Sequence, residues 1–384
     1  MKSDFAKLDR WLLFWTIFMF VLGIFMIFSA SSVKASLGGA PYYYFVKQTI
    51  TFSICAIVSY VIMSIPLRFY NKMAFIVVIG VVGSLVVVYL YGAIINQARS
   101  WIPLGFYNFQ PSEFAKAAIV LYMAVYYNKY KDSKKLIVIL FPLLAAITMG
   151  ALTFIQPDFG TTVIIVALGI IIFFAVPFDK TIKKYIFQLA ALVVGVTVLF
   201  ILITGSPILR PGQLARFDYK NPCTKYLSGG SGYQVCNGFI AINNGGLWGV
   251  GIGNSTQKYL YLPEAHTDFI FPVILEEIGL IAGIGIIIIY IIILMRIMKI
   301  AFRSYNLMGS IIAYGTAVYI FLHVFINLVG VLGLLPLTGV PLPFLSYGGS
   351  YALNLSILLA LVQRVEIENK QKMRKKILMQ GETT

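Results

Sequence analysis

The chain has 384 residues, of which 59% are hydrophobic and 11% charged, with a formal net charge of +16. A mean hydropathy of +0.87 excludes a soluble enzyme built around one core and reads as a polytopic membrane protein. The basic excess excludes nothing by itself, but its densest run follows directly on the last apolar segment, where attraction to anionic lipid explains it and nucleic acid is not needed.

About 20 apolar residues span a bilayer as a helix. Taken in chain order, the predicted spans are 11–31, 45–65, 73–91, 113–129, 136–155, 160–178, 185–204, 269–295, 307–333 and 350–364. The expected fold is therefore an all-α polytopic membrane protein of about ten transmembrane helices. Apolar runs such as Gly283-Ile284-Gly285-Ile286-Ile287 continue through both parities, which rules out barrel strands. The first run is long enough to span and reads as a retained anchor. A single membrane domain is expected over 1–364, with one long outer loop (205–268) between helices seven and eight and a basic cytoplasmic tail at 365–384.

Placing the N-terminus in the cytoplasm puts most of the 30 lysines and arginines inside, as the positive-inside rule requires, and leaves both termini cytoplasmic. Every unusual polar island then falls on the outer face. These are Asn96 to Trp101, Phe109 to Lys116, Gln156 to Thr161, Tyr261-Leu262-Pro263-Glu264-Ala265-His266-Thr267-Asp268, and Pro341 to Ser350. The prolines of the last island break the fold between helices nine and ten, which is tolerated where backbone lines a cavity. Glycines 80, 83, 279, 283 and 285 are expected to let helices approach closely.

In this order the islands resemble the SEDS family (shape, elongation, division and sporulation), and the resemblance covers nearly the whole chain. The forms Pro263-Glu264-Ala265-His266-Thr267-Asp268 and Gln156-Pro157-Asp158-Phe159-Gly160-Thr161 are more similar to the cell-division (FtsW) branch than to the rod-shape (RodA) branch. The resemblance implies a peptidoglycan glycosyltransferase of the bacterial cell membrane, at the division septum. It implies lipid II as substrate, undecaprenyl pyrophosphate as product, a class B penicillin-binding transpeptidase as partner, and other division or elongation proteins around it.

A sugar hydroxyl attacking an anomeric carbon needs a base, whereas a departing pyrophosphate needs cations and no acid. By motif position the resemblance makes Asp268 that base; a helix N-cap is the competing reading of the same residue. Lys116 and Glu113 share a helical face and can pair. Lys116 serves either the pyrophosphate or an interfacial snorkelling role. Lys47 and Arg99 match basic positions of the family, with Arg99 alternatively an interfacial anchor beside Trp101. Glu264, His266 and Ser346 are further candidate substrate contacts, His266 as a positioner or a plain hydrogen-bonding residue.

Having only two histidines, His266 and His323, the sequence argues against a multi-histidine metal site. No cofactor follows from the sequence, and a divalent cation such as Mg2+ at the pyrophosphate stays open. Asp158 after proline reads first as a cap. The run Asn243 to Gly253 lacks the strand and helix of a nucleotide loop, and reads as a flexible re-entrant or surface segment. Cys223 and Cys236 in the outer loop either form a disulfide or remain free thiols, and Cys55 reads as packing. A lipid II flippase is the main rival function, using the same outward charges without glycan chemistry, and a noncatalytic division scaffold is a third.

Overall fold

Helix α1 (Arg10–Leu37) starts behind Asp9, whose Oδ1 accepts from the Leu12 amide at 2.8 Å and so satisfies one of the free first-turn donors. In this computed structural model, residues 6–95, 98–103, 105, 107–188, 221–224 and 230–381 are described. Helices α2 (Tyr43–Ser64) and α3 (Leu67–Tyr91) follow, separated by Pro66, which cannot continue a helix from α2. The chain then forms a small antiparallel sheet in the order β1 (Ala93–Ile95), β2 (Ala98–Pro103), β3 (Asn108–Phe109).

Helix α4 (Pro111–Lys129) carries its proline at the start, where the missing N–H costs nothing. Then come α5 (Leu136–Ile155), α6 (Phe159–Ala175), α7 (Gly230–Gly245), α8 (Ile270–Phe302), α9 (Leu307–Val331) and α10 (Gly349–Gly381).

Among the described residues, seven helices are long and apolar enough to cross a membrane: α1, α2, α3, α5, α8, α9 and α10; α6 is apolar but shorter. Three of the ten expected spans are missing from this set: 160–178, which forms the short α6, and two others. Most of the 185–204 span lies outside the described residues. Helix α4 is packed against α3, α5, α6, α9 and α10, so its faces meet protein rather than lipid. It is rich in alanine and tyrosine, carries Glu113 and Lys116, and is buried along most of its length. The last helix also does not stop at 364 but runs unbroken to Gly381.

Helix α8 holds the main irregularity. Gly279 has φ 84° and ψ 169°, which interrupts the helix. The glycine run crosses at that break. Val250 and Gly251 amides donate to the carbonyls of Glu276 and Glu277, and Leu280 donates back to Gly246. A Cβ on Gly249 would lie 2.3 Å from the Glu277 carbonyl oxygen, and one on Gly279 would lie 2.3 Å from that of Leu247. The run is a fitted plug in a broken helix, not the flexible segment expected. Gly80, Gly83 and Gly285 face open space within 4 Å, so the expected close approach does not occur there.

Polar ties separate the two ends of the bundle. At one end Asp9 meets Arg296 (3.4 Å), the Asp9 amide donates to Gln363, and Glu368 accepts from Arg364 and from the Leu67 amide. At the other end the starts of α4, α6, α8 and α10 gather with the end of α9.

Candidate active site

That second end encloses a cavity of about 330 Å³, whose walls include Lys47, Trp101, Tyr107, Gln110, Glu113, Asp158, Thr161, Glu264, Asp268, Pro341, Tyr347 and Ser350. Each of the five polar islands contributes. Residues separated by as many as 304 positions, Lys47 and Tyr351, meet there because α2, α4, α6, α8 and α10 all begin at this level.

Asp268 sits on the wall, half-buried, just ahead of α8. The N-cap of that helix is Phe269, whose side chain caps nothing, so the capping explanation of Asp268 loses its position. Thr267 Oγ1 lies 3.1 Å from Asp268 Oδ1 and 2.8 Å from Glu264 Oε2, bridging the two acids. Asn327 of α9 donates through Nδ2 to the Asp268 carbonyl and to the Val340 carbonyl, each at 2.8 Å. The backbone that carries the carboxylate is thus fixed to α9 and to the 340 segment.

Lys47 and Glu113 also line the cavity, and Lys47 is the one lysine or arginine among its described lining residues. Lys47 Nζ donates to Tyr43 Oη at 3.1 Å. Glu264 also faces Lys34 at 3.9 Å, both side chains partly in solvent, a pair worth little by itself.

Lys116 differs from expectation. It is fully buried and does not line the cavity; its Nζ donates to Glu113 Oε1 at 2.7 Å and lies 3.2 Å from His323 Nε2. Both snorkelling and direct substrate contact require an accessible ammonium, and this one stands behind Glu113. The second carboxylate oxygen of Glu113, Oε2, is buried without a hydrogen-bond partner.

Arg99 is also not at the cavity: its guanidinium donates to the Tyr89 carbonyl at 3.3 Å and ties the sheet to the end of α3. Ser346 is buried in the 341–348 loop. It accepts from the Leu342 amide at 2.8 Å and donates to the Thr267 carbonyl at 2.5 Å, so it braces the Asp268 segment from behind.

His266 lies beneath the wall, its ring between Tyr44 (4.6 Å) and Tyr347 (5.6 Å), while its carbonyl accepts from the Tyr347 amide. Burial, reinforced by the Lys34 cation and opposed by Glu264, holds its imidazole down at about 4. Asp158 caps α6 through the Thr161 amide (3.2 Å) and accepts from Gln110 Nε2 (3.2 Å), so it both caps and shapes the wall. Tyr107, donating to Ser350 Oγ at 3.2 Å, is pushed up to about 12 by its burial.

Sequence reasoning passed over His323, Asn327 and Lys258. The first two are polar residues four apart in an apolar helix, a signal that was available, because intramembrane polar groups seldom lack a role. Lys258 donates to Glu277 Oε1 at 3.0 Å, and Ser29 Oγ joins the same carboxylate. Glu276 accepts from Asn244, from Ser255, from the Thr256 amide and hydroxyl, and from the Gln257 amide. The two glutamates therefore lock the glycine run in place and do not face the cavity. Cys223 and Cys236 are joined in a disulfide with Cα atoms 4.9 Å apart, tying residues 221–224 to α7; Cys55 is free and buried.

The described residues hold no group of three His, Cys, Asp or Glu placed to share a metal ion. The cavity is acidic, with Glu113, Asp158, Glu264 and Asp268 against one lysine among its described lining residues. The family model of the cell cycle proteins FtsW, RodA and SpoVE matches residues 10–371. A Hydrogenovibrio crunogenus protein named "Probable peptidoglycan glycosyltransferase FtsW" is 34% identical over 382 residues, covering 96% of this chain and 94% of its own. A Bacillus subtilis protein of the same name is 33% identical over 359 residues, covering 91% and 88%. The solved Thermus thermophilus rod shape determining protein RodA superimposes with a TM-score of 0.68 at 22% identity, covering 94% of this chain and 97% of that one. A chain from a study of the structural coordination of polymerization and crosslinking by a peptidoglycan synthase complex gives 0.73 at 24% identity, covering 95% and 99%. These two structures share the fold, and the matched family model and relatives establish that the chain belongs to the FtsW/RodA/SpoVE family of cell cycle proteins.

Proposed function

We propose that this chain is a peptidoglycan glycosyltransferase that polymerises lipid II on the outer face of a bacterial cell membrane, in septal wall synthesis. The observation that carries the reading is Asp268 on the wall of a cavity shared with Glu113 and Lys47, assembled from every polar island of the sequence. In the reaction the acceptor 4-hydroxyl oxygen bonds to the anomeric carbon, its proton passes to the Asp268 carboxylate, and the anomeric carbon–oxygen bond to phosphate breaks. The electron pair leaves on undecaprenyl pyrophosphate. One base suffices for such an inverting displacement, and no ATP is needed.

Lys47 supplies positive charge at the cavity for the departing pyrophosphate. A divalent cation such as Mg2+ would add more of the same charge neutralisation. The residues suit a hydrated ion touching one or two of the lining carboxylates, not an all-protein cage, which is how Mg2+ commonly binds beside phosphates. The remaining polar groups position: Ser346 and Asn327 hold the Asp268 backbone, and Thr267 spaces Asp268 from Glu264.

The topology that goes with this reading has about ten spans and both termini in the cytoplasm. A class B penicillin-binding transpeptidase is the proposed partner, supported by the polymerization and crosslinking named together for the similar complex.

Purified protein incubated with labelled lipid II, with and without such a transpeptidase, tests the reading. Glycan polymer is the expected product. Lipid II movement across a vesicle without polymer would replace the polymerase with a flippase, and neither activity would leave a scaffold.

A further inference from the structure

The geometry points to His323 as the residue that positions Lys116, through one defined tautomer, and joins the Glu113–Lys116 pair to the backbone of the cavity wall. This rests on the glycosyltransferase reading above.

An ammonium has only protons to give, so a hydrogen bond across the 3.2 Å between Lys116 Nζ and His323 Nε2 requires a lone pair on Nε2. The ring proton must then be on Nδ1. That atom lies 3.3 Å from the Pro341 carbonyl oxygen, an acceptor that a protonated Nδ1 satisfies. Both ring nitrogens are therefore accounted for by the Nδ1–H form alone. The other neutral tautomer would point a proton at an ammonium and a lone pair at a carbonyl.

The surroundings hold the ring in that orientation. His323 is fully buried, its ring 4.6 Å from Tyr319 and 4.9 Å from Tyr351. Tyr351 and Pro341 line the cavity, as does Glu113 on the far side of the lysine. A continuous chain results: Glu113 carboxylate, Lys116 ammonium, His323 imidazole, Pro341 carbonyl. Four residues along α9, Asn327 makes the matching tie between the Asp268 carbonyl and Val340. One face of one helix thus sets two charged groups of the site against adjacent residues of the same loop.

His323 touches neither the cavity nor any reacting atom and is a positioning residue. Its removal is expected in turnover and not in substrate capture. His323→Leu should lower kcat by roughly ten- to a hundredfold, the size of one lost hydrogen bond to a charged group, with KM for lipid II nearly unchanged. His323→Gln should recover much of the loss, because its amide oxygen can accept from Lys116 while its nitrogen donates to Pro341.

A spectroscopic test stands apart from activity. In a His266→Gln background, 15N-histidine labelling leaves a single imidazole, and its nitrogen shifts and couplings report the tautomer directly. An Nδ1–H ring is expected; an Nε2–H ring overturns the inference. So does a folded His323→Leu protein with wild-type kcat, or equal losses in the Leu and Gln variants. If His323→Leu does not fold, judged by thermal unfolding in detergent, the Gln variant and the tautomer decide. If the wild-type protein makes no glycan polymer, the proposed reaction falls, and the tautomer measurement still judges the His323 contact by itself.

Discussion

Lys258 Nζ lies 3.0 Å from Glu277 Oε1, and both side chains are almost wholly removed from solvent. Glu277 sits two residues before the break at Gly279, and Ser29 of α1 donates to the same carboxylate. It therefore clamps the glycine run, the first half of α8 and α1 at one point. A buried charge left without its partner costs about 3–5 kcal/mol, whereas losing both charges to apolar groups costs far less. Lys258→Met is predicted to lower the thermal midpoint of the detergent-solubilised protein sharply. Adding Glu277→Leu to it should restore much of the loss. Equal midpoints for wild type and Lys258→Met would show that the pair does not hold the segment.

The crossing of Gly249 and Gly279 leads to a contrast between glycines in one helix. Gly279→Ala places a Cβ against the Leu247 carbonyl at a positive φ, and should destabilise by about 1–3 kcal/mol or more. Gly285→Ala, with nothing within 4 Å, should be neutral or slightly stabilising. Unfolding of the two variants side by side checks this. Equal effects would contradict the plugged break.

Much of this was legible in the sequence, and the failures share a cause. Hydropathy located most of the spans because lipid-facing helices must be apolar, and the islands were visible because polar residues are scarce. Asp268, Glu113, Lys47 and Glu264 do meet at one cavity. What sequence could not show is which neighbours a helix has. Helix α4 was expected as a span although it is wrapped by other helices, and Lys116 looked like a snorkelling or substrate-facing cation because His323 comes from 207 positions away. Ser346 was selected for its motif, yet it serves the Thr267 backbone. The donors to Glu276 lay 19 to 32 positions off, beyond any helical periodicity.

His266 gives the site region a pH dependence of stability. Its folded value of about 4 lies below the ordinary 6.5, so the unfolded chain takes up the proton first as pH falls. The contribution is present above about 6.5 and is lost progressively as pH drops toward 4, amounting to at most about 3 kcal/mol. Thermal midpoints of wild type should therefore fall over that window, and His266→Gln should show a shallower decline. An identical slope in the variant would remove His266 as the source.

Ser346 should affect both stability and turnover. Ser346→Ala leaves the Leu342 amide and the Thr267 carbonyl unpaired in a buried loop, at about 1–3 kcal/mol. Because Thr267 adjoins Asp268, glycan synthesis should slow as well. Unfolding and polymerisation measured on one preparation test the link, and an unchanged rate would separate Ser346 from the site.

The central claim is that Asp268 takes the proton of the acceptor hydroxyl. Asp268→Asn keeps the shape of the side chain and removes its basicity, while the Asn327 and Ser346 ties to the neighbouring backbone carbonyls remain. The direct measurement is glycan polymer formed from lipid II by purified wild type and Asp268→Asn, compared at matched thermal midpoints. The expected variant is folded and membrane-inserted, still binds lipid II and makes no detectable polymer. Polymer at the wild-type rate from Asp268→Asn would contradict it.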